Sequence, residues 1–227
     1  MKRAKSRPRP TQPPASSPLR ILVADDHELV RRGLTLVLED AFGRIEIGEA
    51  VSSQEALRQV ADRKWDIVLL DLNMPGSRGL DLLAEIRRLR PKLPVLVLSA
   101  SSEAEYGFRT LKAGAAGYVN KQHASEELVL AVREALAGRT YVGSATARKL
   151  AENLRGDAVR LPHEKLSDRE LEVFHLIARG RSAKEIAGEL RLSEKTVGTY
   201  VARIKDKTGL RGPVEITRYA FQNKLAD

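Results

Sequence analysis

The sequence predicts an α/β domain built on a doubly wound, five-stranded parallel sheet, followed by a small all-α domain. Three observations predict it. Between residues 20 and 138, short apolar runs alternate five times with segments of helical period, a pattern that gives a parallel sheet covered by helices on both faces. Beyond residue 163 the strand signals stop and the apolar spacing is helical throughout. The positive charge lies at the ends of the chain. Residues 1–18 carry five Lys/Arg and no acid, residues 19–140 carry 17 basic and 18 acidic residues, and residues 141–227 carry 17 and 12. A near-neutral first domain and a basic second one place any nucleic-acid affinity in the second.

The bulk composition narrows the classes further. At 227 residues and 42% hydrophobic content the chain can bury two cores, and with 4% aromatics those cores rest on Leu, Val, Ile and Ala. The absence of cysteine excludes disulfides and thiolate metal sites. No apolar run approaches the roughly 20 residues of a membrane span, and no apolar stretch of a secretory signal follows the basic first residues. A soluble, cytoplasmic protein with no membrane partner is expected. Residues 1–18, rich in Pro, Ser and Arg, lack periodicity and are expected to form a disordered basic tail.

The elements follow in order. Ile21–Ala24 reads as a strand ending in Asp25-Asp26, then a helix over 28–40 turns Val30, Leu34, Val37 and Leu38 to one face. A weaker strand lies at 45–50. Ser52, with Glu55 three residues on, forms a capping box that opens the next helix. The run Asp66-Ile-Val-Leu-Leu-Asp71 is a strand buried on both faces that delivers one carboxylate before the chain breaks at Pro75-Gly76. A helix over 79–90 carries Leu80, Leu83, Ile86 and Leu89 inward. Pro94–Leu98 is a fourth strand reaching Ser99, and a helix over 102–113 stops at Gly114. Gly117–Asn120 is a fifth strand reaching Lys121, and a helix over 125–138 ends at Gly138. This first domain spans 19–139. A linker over 140–163 contains a helix at 145–154 and the breaking Arg155-Gly156-Asp157 and Pro162. The second domain, 164–227, is expected to hold helices at 168–179, 183–190, 194–207 and 213–224. Ser167/Glu170 and Ser182/Glu185 are two further capping boxes, with Gly180 as a stop between them.

The candidate chemistry sits at the carboxyl ends of the strands, where open α/β sheets place their sites. An isolated aspartate there would as readily cap a turn. Here four strands deliver Asp25-Asp26, Asp71, Ser99 and Lys121 to one edge. Crowded carboxylates need a counterion, and an all-oxygen set suits a hard cation, Mg²⁺ above all. Asp71 is the best nucleophile toward phosphorus, with Lys121 and Ser99 to match the added oxygens. Either Asp25 or Asp26 would hold the metal, and the other could cap the following helix.

These residues carry a resemblance. Residues 20–138 resemble the receiver domain of bacterial two-component response regulators, in the pattern Asp25-Asp26, Asp71-Leu-Asn-Met-Pro-Gly, Ser99-Ala100 and Lys121. The resemblance implies a flavodoxin-like fold and a phosphoryl group passed to Asp71 from a cognate histidine kinase. It implies Mg²⁺ held by Asp26, Asp71 and the backbone carbonyl of Asn73, with Asp25 acting through water. Ser99 and Tyr118 resemble the family's switch pair. Gln122 departs from the proline that often follows the lysine.

In the second domain, Leu171, Phe174, Ile177 and Ala178 form one apolar stripe, and Ile186, Ala187 and Leu190 form another. After the turn Arg191-Leu192-Ser193, a third helix sets Val197, Val201 and Ile204 at i, i+4 and i+7. Its other face presents Lys195, Thr196, Thr199, Ala202, Arg203 and Lys205. That spacing fits a helix-turn-helix or an interaction bundle. The run from Leu166-Ser-Asp-Arg-Glu-Leu to Leu192-Ser-Glu-Lys-Thr-Val-Gly-Thr-Tyr resembles the LuxR-type helix-turn-helix, and the whole resembles the NarL/FixJ class of response regulators. Gly198, Tyr200 and Ala202 depart from the usual recognition helix. Lys195, Thr196, Arg203 and Lys207 are expected on DNA phosphates, with Lys184 on the preceding helix, while Thr199 and Ala202 are expected to read bases by methyl contact. The expected function is a phosphorylation-dependent transcription regulator that binds double-stranded DNA as a homodimer. It would not be an enzyme beyond slow autodephosphorylation. A Mg²⁺-dependent phosphohydrolase would need a second acid where Asn73 stands. A regulator that works through protein contacts alone is the other alternative.

Overall fold

The computed structural model describes residues 17–74, 80–100, 102–155, 161–223 and 225. Most of the basic tail, the Pro75-Gly76 break and Gly156-Asp157 lie outside the described residues. Five strands, β1 (Leu19–Ala24), β2 (Ile45–Ala50), β3 (Ile67–Asp71), β4 (Val95–Ser99) and β5 (Gly117–Asn120), form one parallel sheet in the order β2-β1-β3-β4-β5. Between and after them run α1 (Glu28–Phe42), α2 (Ser53–Asp62), α3 (Leu80–Leu89), α4 (Glu103–Lys112) and α5 (Ala124–Leu136). The five β/α units and the sheet are as the alternation predicts.

Side chains alternate between the two faces of a strand, and the two cores divide accordingly. Leu22, Val68, Leu70, Val95, Val97 and Tyr118 face the layer of α2, α3 and α4. Ile21, Val23, Ile67, Leu69, Leu96, Leu98 and Val119 face α1 and α5 through Leu34, Leu38, Leu128 and Val132. All five residues of β3 and of β4 are buried, as continuous apolar runs in a two-sided sheet require. Gly114, Gly138 and Gly180 adopt φ of +93°, +73° and +78° just after α4, α5 and the first long helix of the second domain, a conformation that glycine reaches without strain. At Ser52 the capping box is one residue wider than expected. Its hydroxyl accepts from Glu55 N–H at 3.3 Å, but the Glu55 carboxylate reaches back to Val51 N–H at 3.0 Å.

The second domain packs α7 (Asp168–Ala178), α8 (Ala183–Glu189), α9 (Glu194–Thr208) and α10 (Pro213–Gln222) around Leu171, Phe174, Ile186, Val197, Ile204 and Ile216. The capping boxes at Ser167 and Ser182 close in both directions. Between α8 and α9, Arg191 takes φ +52°, a left-handed turn that costs a non-glycine residue about 1 kcal/mol.

The linker is more structured than its composition suggests. Tyr141 N–H donates to Ala116 O at 2.8 Å, and α6 (Ser144–Arg155) lies on α4. Thr146 N–H, in the first turn of α6, donates to Glu103 Oε1 at 3.0 Å. A 3-10 turn, Pro162–Lys165, then leads into α7. Among the described residues, no helix is long and apolar enough to cross a membrane.

Candidate functional site

β1 and β3 are neighbours at the point where the strand order reverses, and such a switch point opens a crevice at the carboxyl ends of the strands. Asp25 follows β1 and Asp71 closes β3; they are 1% and 2% exposed. Lys121, directly after β5, sends its Nζ to within 2.6 Å of Asp25 Oδ2 and 2.6 Å of Asp71 Oδ2. Asp71 Oδ1 accepts from Asn73 N–H at 3.0 Å. Burial raises the pKa of Asp71 above the usual carboxylate value, although Lys121 and the Asn73 N–H pull it down. Burial likewise opposes the charge on Lys121, but Asp71 and Asp25 outweigh it and its pKa rises.

The same crevice holds a carboxylate oxygen with too little to satisfy it. Asp26 Oδ1 is buried without a hydrogen bond; His27 Nδ1 stands 3.0 Å away. Buried polar atoms are nearly always partnered, so this oxygen suits a bound cation. One donor atom each from Asp25, Asp26, His27 and Asp71 lie within 4.8 Å of one another. The three carboxylates fit a hard divalent ion such as Mg²⁺, and the His27 imidazole, a softer ligand, stands beside them. Sequence reasoning missed His27, whose signal was its place directly after the paired acids. The capping alternative also resolves. The N-cap of α1 is His27 rather than either aspartate, although Asp25 Oδ1 accepts from the His27 N–H at 2.8 Å.

Ser99, at the end of β4, is 1% exposed, and Tyr118, in β5, is 2% exposed. Their side chains are hydrogen-bonded to each other. Burial drives the Tyr118 pKa up, against that bond, so its hydroxyl stays neutral at physiological pH. The hydroxyl and the aromatic ring expected as a pair are therefore physically joined.

In the second domain, α9 is capped by Ser193, whose Oγ accepts from Thr196 N–H at 3.1 Å. Val197 and Ile204 are fully buried beneath it. Lys195, Thr199, Ala202 and Arg203 are exposed, Thr196 partly so, and Lys184 is exposed on α8. Thr199 Oγ1 donates back to Lys195 O at 3.1 Å. Lys207 is placed differently from the others, because its Nζ lies 2.6 Å from Oε2 of the buried Glu170. Glu170 also accepts from Ser167 N–H at 2.8 Å, so Lys207 neutralises the capping box of α7.

Comparison with known proteins agrees with this geometry. Residues 21–133 match the response regulator receiver domain, and residues 164–220 match the bacterial regulatory proteins of the luxR family. Response regulator UvrY of Escherichia coli (strain K12) is 34% identical over 92% of this chain and 96% of its own. RcsB from Salmonella enterica serovar Typhimurium, bound to promoter rprA in the presence of the phosphomimetic BeF3−, is 27% identical with a TM-score of 0.64 over 89% of this chain and 98% of its own. A structure of two RcsB dimers bound to two parallel DNAs is 27% identical with a TM-score of 0.56, over 90% of this chain and 98% of its own. With both matches in order and a relative above 30% identity along nearly all of its length, the chain belongs to the NarL/FixJ family of two-component response regulators, with a receiver domain and a LuxR-type DNA-binding domain.

Proposed function

We propose that this protein is a transcription regulator switched by phosphorylation of Asp71. The observation that carries the reading is the buried Asp71 carboxylate, held beside Lys121 within the Asp25–Asp26 crevice. A carboxylate oxygen of Asp71 attacks the phosphorus of a kinase phosphohistidine. The O–P bond forms as the P–N bond breaks, and the histidine nitrogen leaves with the electron pair. Asp25, Asp26, Asp71 and the Asn73 carbonyl are the groups that would hold Mg²⁺, which when bound offsets charge on the phosphoryl oxygens. Lys121, already at 2.6 Å from Asp71, exchanges a carboxylate partner for a phosphoryl oxygen. The Ser99 hydroxyl turns toward the same group and gives up Tyr118. Asn73 stands where an aspartyl phosphatase would place its second acid, which supports a lasting acyl phosphate rather than turnover.

The output is binding of double-stranded DNA by α9. Lys195, Thr196, Arg203 and Lys184 meet phosphates, and Thr199 and Ala202 face the bases. The Thr199 hydroxyl proton is engaged by Lys195 O, which favours methyl contact over hydrogen-bonded readout. Lys207 joins the phosphate contacts only by sharing its charge with Glu170. Two copies bind together, as the RcsB dimers do on their DNA. Val214 and Phe221, 83% and 78% exposed on α10, form the apolar face on which we place the second copy.

The test exposes wild type and Asp71→Asn to a small phosphodonor with Mg²⁺ and follows mass, oligomeric state and DNA binding together. Wild type should gain one phosphoryl group, dimerise and bind DNA more tightly, and the variant should do none of these. No mass gain in wild type, or an equal gain in the variant, sinks the assignment.

A further inference from the structure

The acids of the crevice are fixed unevenly. Asp25 is held from two sides, with Lys121 Nζ at 2.6 Å from its Oδ2 and the His27 N–H donating to its Oδ1 at 2.8 Å. Asp26 has no such tie. Its Oδ1 is buried without a hydrogen bond, the exposed His27 ring standing 3.0 Å away. The direction of this carboxylate has to come from the backbone that carries it, and a side chain outside the crevice acts on that backbone. Arg31 lies on the buried face of α1 with Leu34 and Leu38 and is 8% exposed. Its Nη1 donates to Asp25 O at 3.0 Å, and its Nε donates to Oε2 of Glu49, in β2, at 2.6 Å. A carbonyl oxygen shares a rigid plane with the N–H of the next residue. The first bond therefore fixes the peptide between Asp25 and Asp26, from which the Asp26 side chain departs.

We propose that Arg31 is a positioning residue for the cation site, tying the Asp25–Asp26 peptide to the end of β2 and so setting the Asp26 carboxylate for the metal. The inference rests on Asp26 as a ligand of Mg²⁺, as in the function proposed above. The anchor is itself held. Asp25 N–H donates to Ala50 O at 3.0 Å, and the Glu49 carbonyl accepts from the side-chain amide of Gln59, in α2. On the other side of the turn, Arg31 N–H donates to His27 O at 3.1 Å. A guanidinium presents its donors as a rigid planar fork, so one side chain holds oxygens of two separate elements at a fixed angle. An arginine that acted only as a charge would do the reverse, since a cation beside the crevice repels Mg²⁺. Glu49 offsets that charge.

The two roles predict opposite signs. Calorimetric titration of the full chain with Mg²⁺, without a phosphodonor, reads the cation site apart from any phosphorylation of Asp71. Arg31→Met keeps the aliphatic stem and deletes both donors. It should weaken Mg²⁺ binding about tenfold, as loss of a group that orients a metal ligand does. Glu49→Gln should bind much as wild type does, because its amide oxygen still accepts from Arg31. Arg31→Lys keeps the charge but not the fork; it should also bind more weakly, and as the milder change it repeats the test in a chain that retains the buried cation. In the metal-free protein, amide exchange should quicken at residues 25–28 of Arg31→Met while β1 stays protected, the mark of a loosened turn in a folded domain. With a small phosphodonor, the Mg²⁺ concentration for half-maximal phosphoryl uptake should rise by the same factor, and the rate at saturating Mg²⁺ should hold.

Unchanged or tighter Mg²⁺ binding in Arg31→Met overturns the proposal. An equal loss in Glu49→Gln does so too, since charge balance rather than the hold on Asp25 O would then be the cause. A wild type that binds no Mg²⁺ overturns the cation site itself, whereas binding that all three variants leave unchanged overturns only the role of Arg31.

Discussion

Among the described residues, Lys121 is the one lysine or arginine paired with two carboxylates that are almost wholly withdrawn from water. Removing one partner of a buried ion pair is costly because the charge left behind has neither water nor counterion, typically about 3–5 kcal/mol. Lys121→Met should therefore lower the receiver's unfolding free energy by about 3 kcal/mol, read from urea denaturation of the metal-free protein. The double variant with Asp71→Asn should lose less than the single one, since one of the two stranded charges is gone. An additive loss would mean that Lys121 acts through packing alone. At this scale much was legible. Asp25, Asp71, Ser99 and Lys121 each interrupt or follow an apolar run at the end of a different strand, and parallel topology leaves those ends one place to meet. His27 was less visible, since a histidine after two acids is also an ordinary helix start. Lys207 showed only part of its surroundings, because its partner Glu170 lies 37 residues away and charge pattern along one helix says nothing of such a pairing.

Among the elements, α4 carries the most. Thr146 of α6 packs so closely on it that a Cβ at Gly107 would stand 2.0 Å from Thr146 Oγ1. Gly107 lies inside a helix, where alanine is worth about 1 kcal/mol more than glycine. That gain is outweighed here, because Thr146 is 1% exposed and its short side chain has nowhere to move, and overpacking a filled site costs about 1–3 kcal/mol. Gly107→Ala should loosen α6, seen as faster amide exchange over residues 144–155, with α4 itself still helical. Thr146→Ala in the same chain should restore protection, since it deletes the atom in the way. Faster exchange that the second change does not reverse would point to a backbone role for Gly107 instead. The strands and helices themselves followed from apolar period and capping residues. The docking of α6 did not, because Gly107 reads as a weak point in a helix and Thr146 as a polar surface residue until the two meet.

Across the whole molecule, the core between the sheet and α2–α4 continues through Tyr106 into Leu166, Phe174 and Val197 of the DNA-binding domain. The two domains thus share apolar cover, and Arg109 closes the seam. Its guanidinium donates to Leu166 O at 2.7 Å, Asp168 Oδ1 at 3.0 Å and Glu164 O at 3.4 Å. None of this could be read from the sequence, where Tyr106 and Arg109 look like the solvated face of an amphipathic helix. Each domain has its own buried centre, so losing the seam should separate them without unfolding either. Bonds of this kind to a charged group contribute about 1.5–3 kcal/mol each, enough for one substitution to shift docking by tenfold or more. Trp65 is the only tryptophan and sits in the receiver, so its fluorescence follows that domain while far-ultraviolet circular dichroism follows both. In wild type the two signals should trace one urea transition, as a coupled pair of domains unfolding together requires. In Arg109→Ala they should part, because the DNA-binding domain then melts on its own and leaves the Trp65 transition behind. Coincident curves in both proteins would mean that the apolar contacts couple the domains without Arg109, and separate curves in both would mean that the seam contributes nothing to their stability.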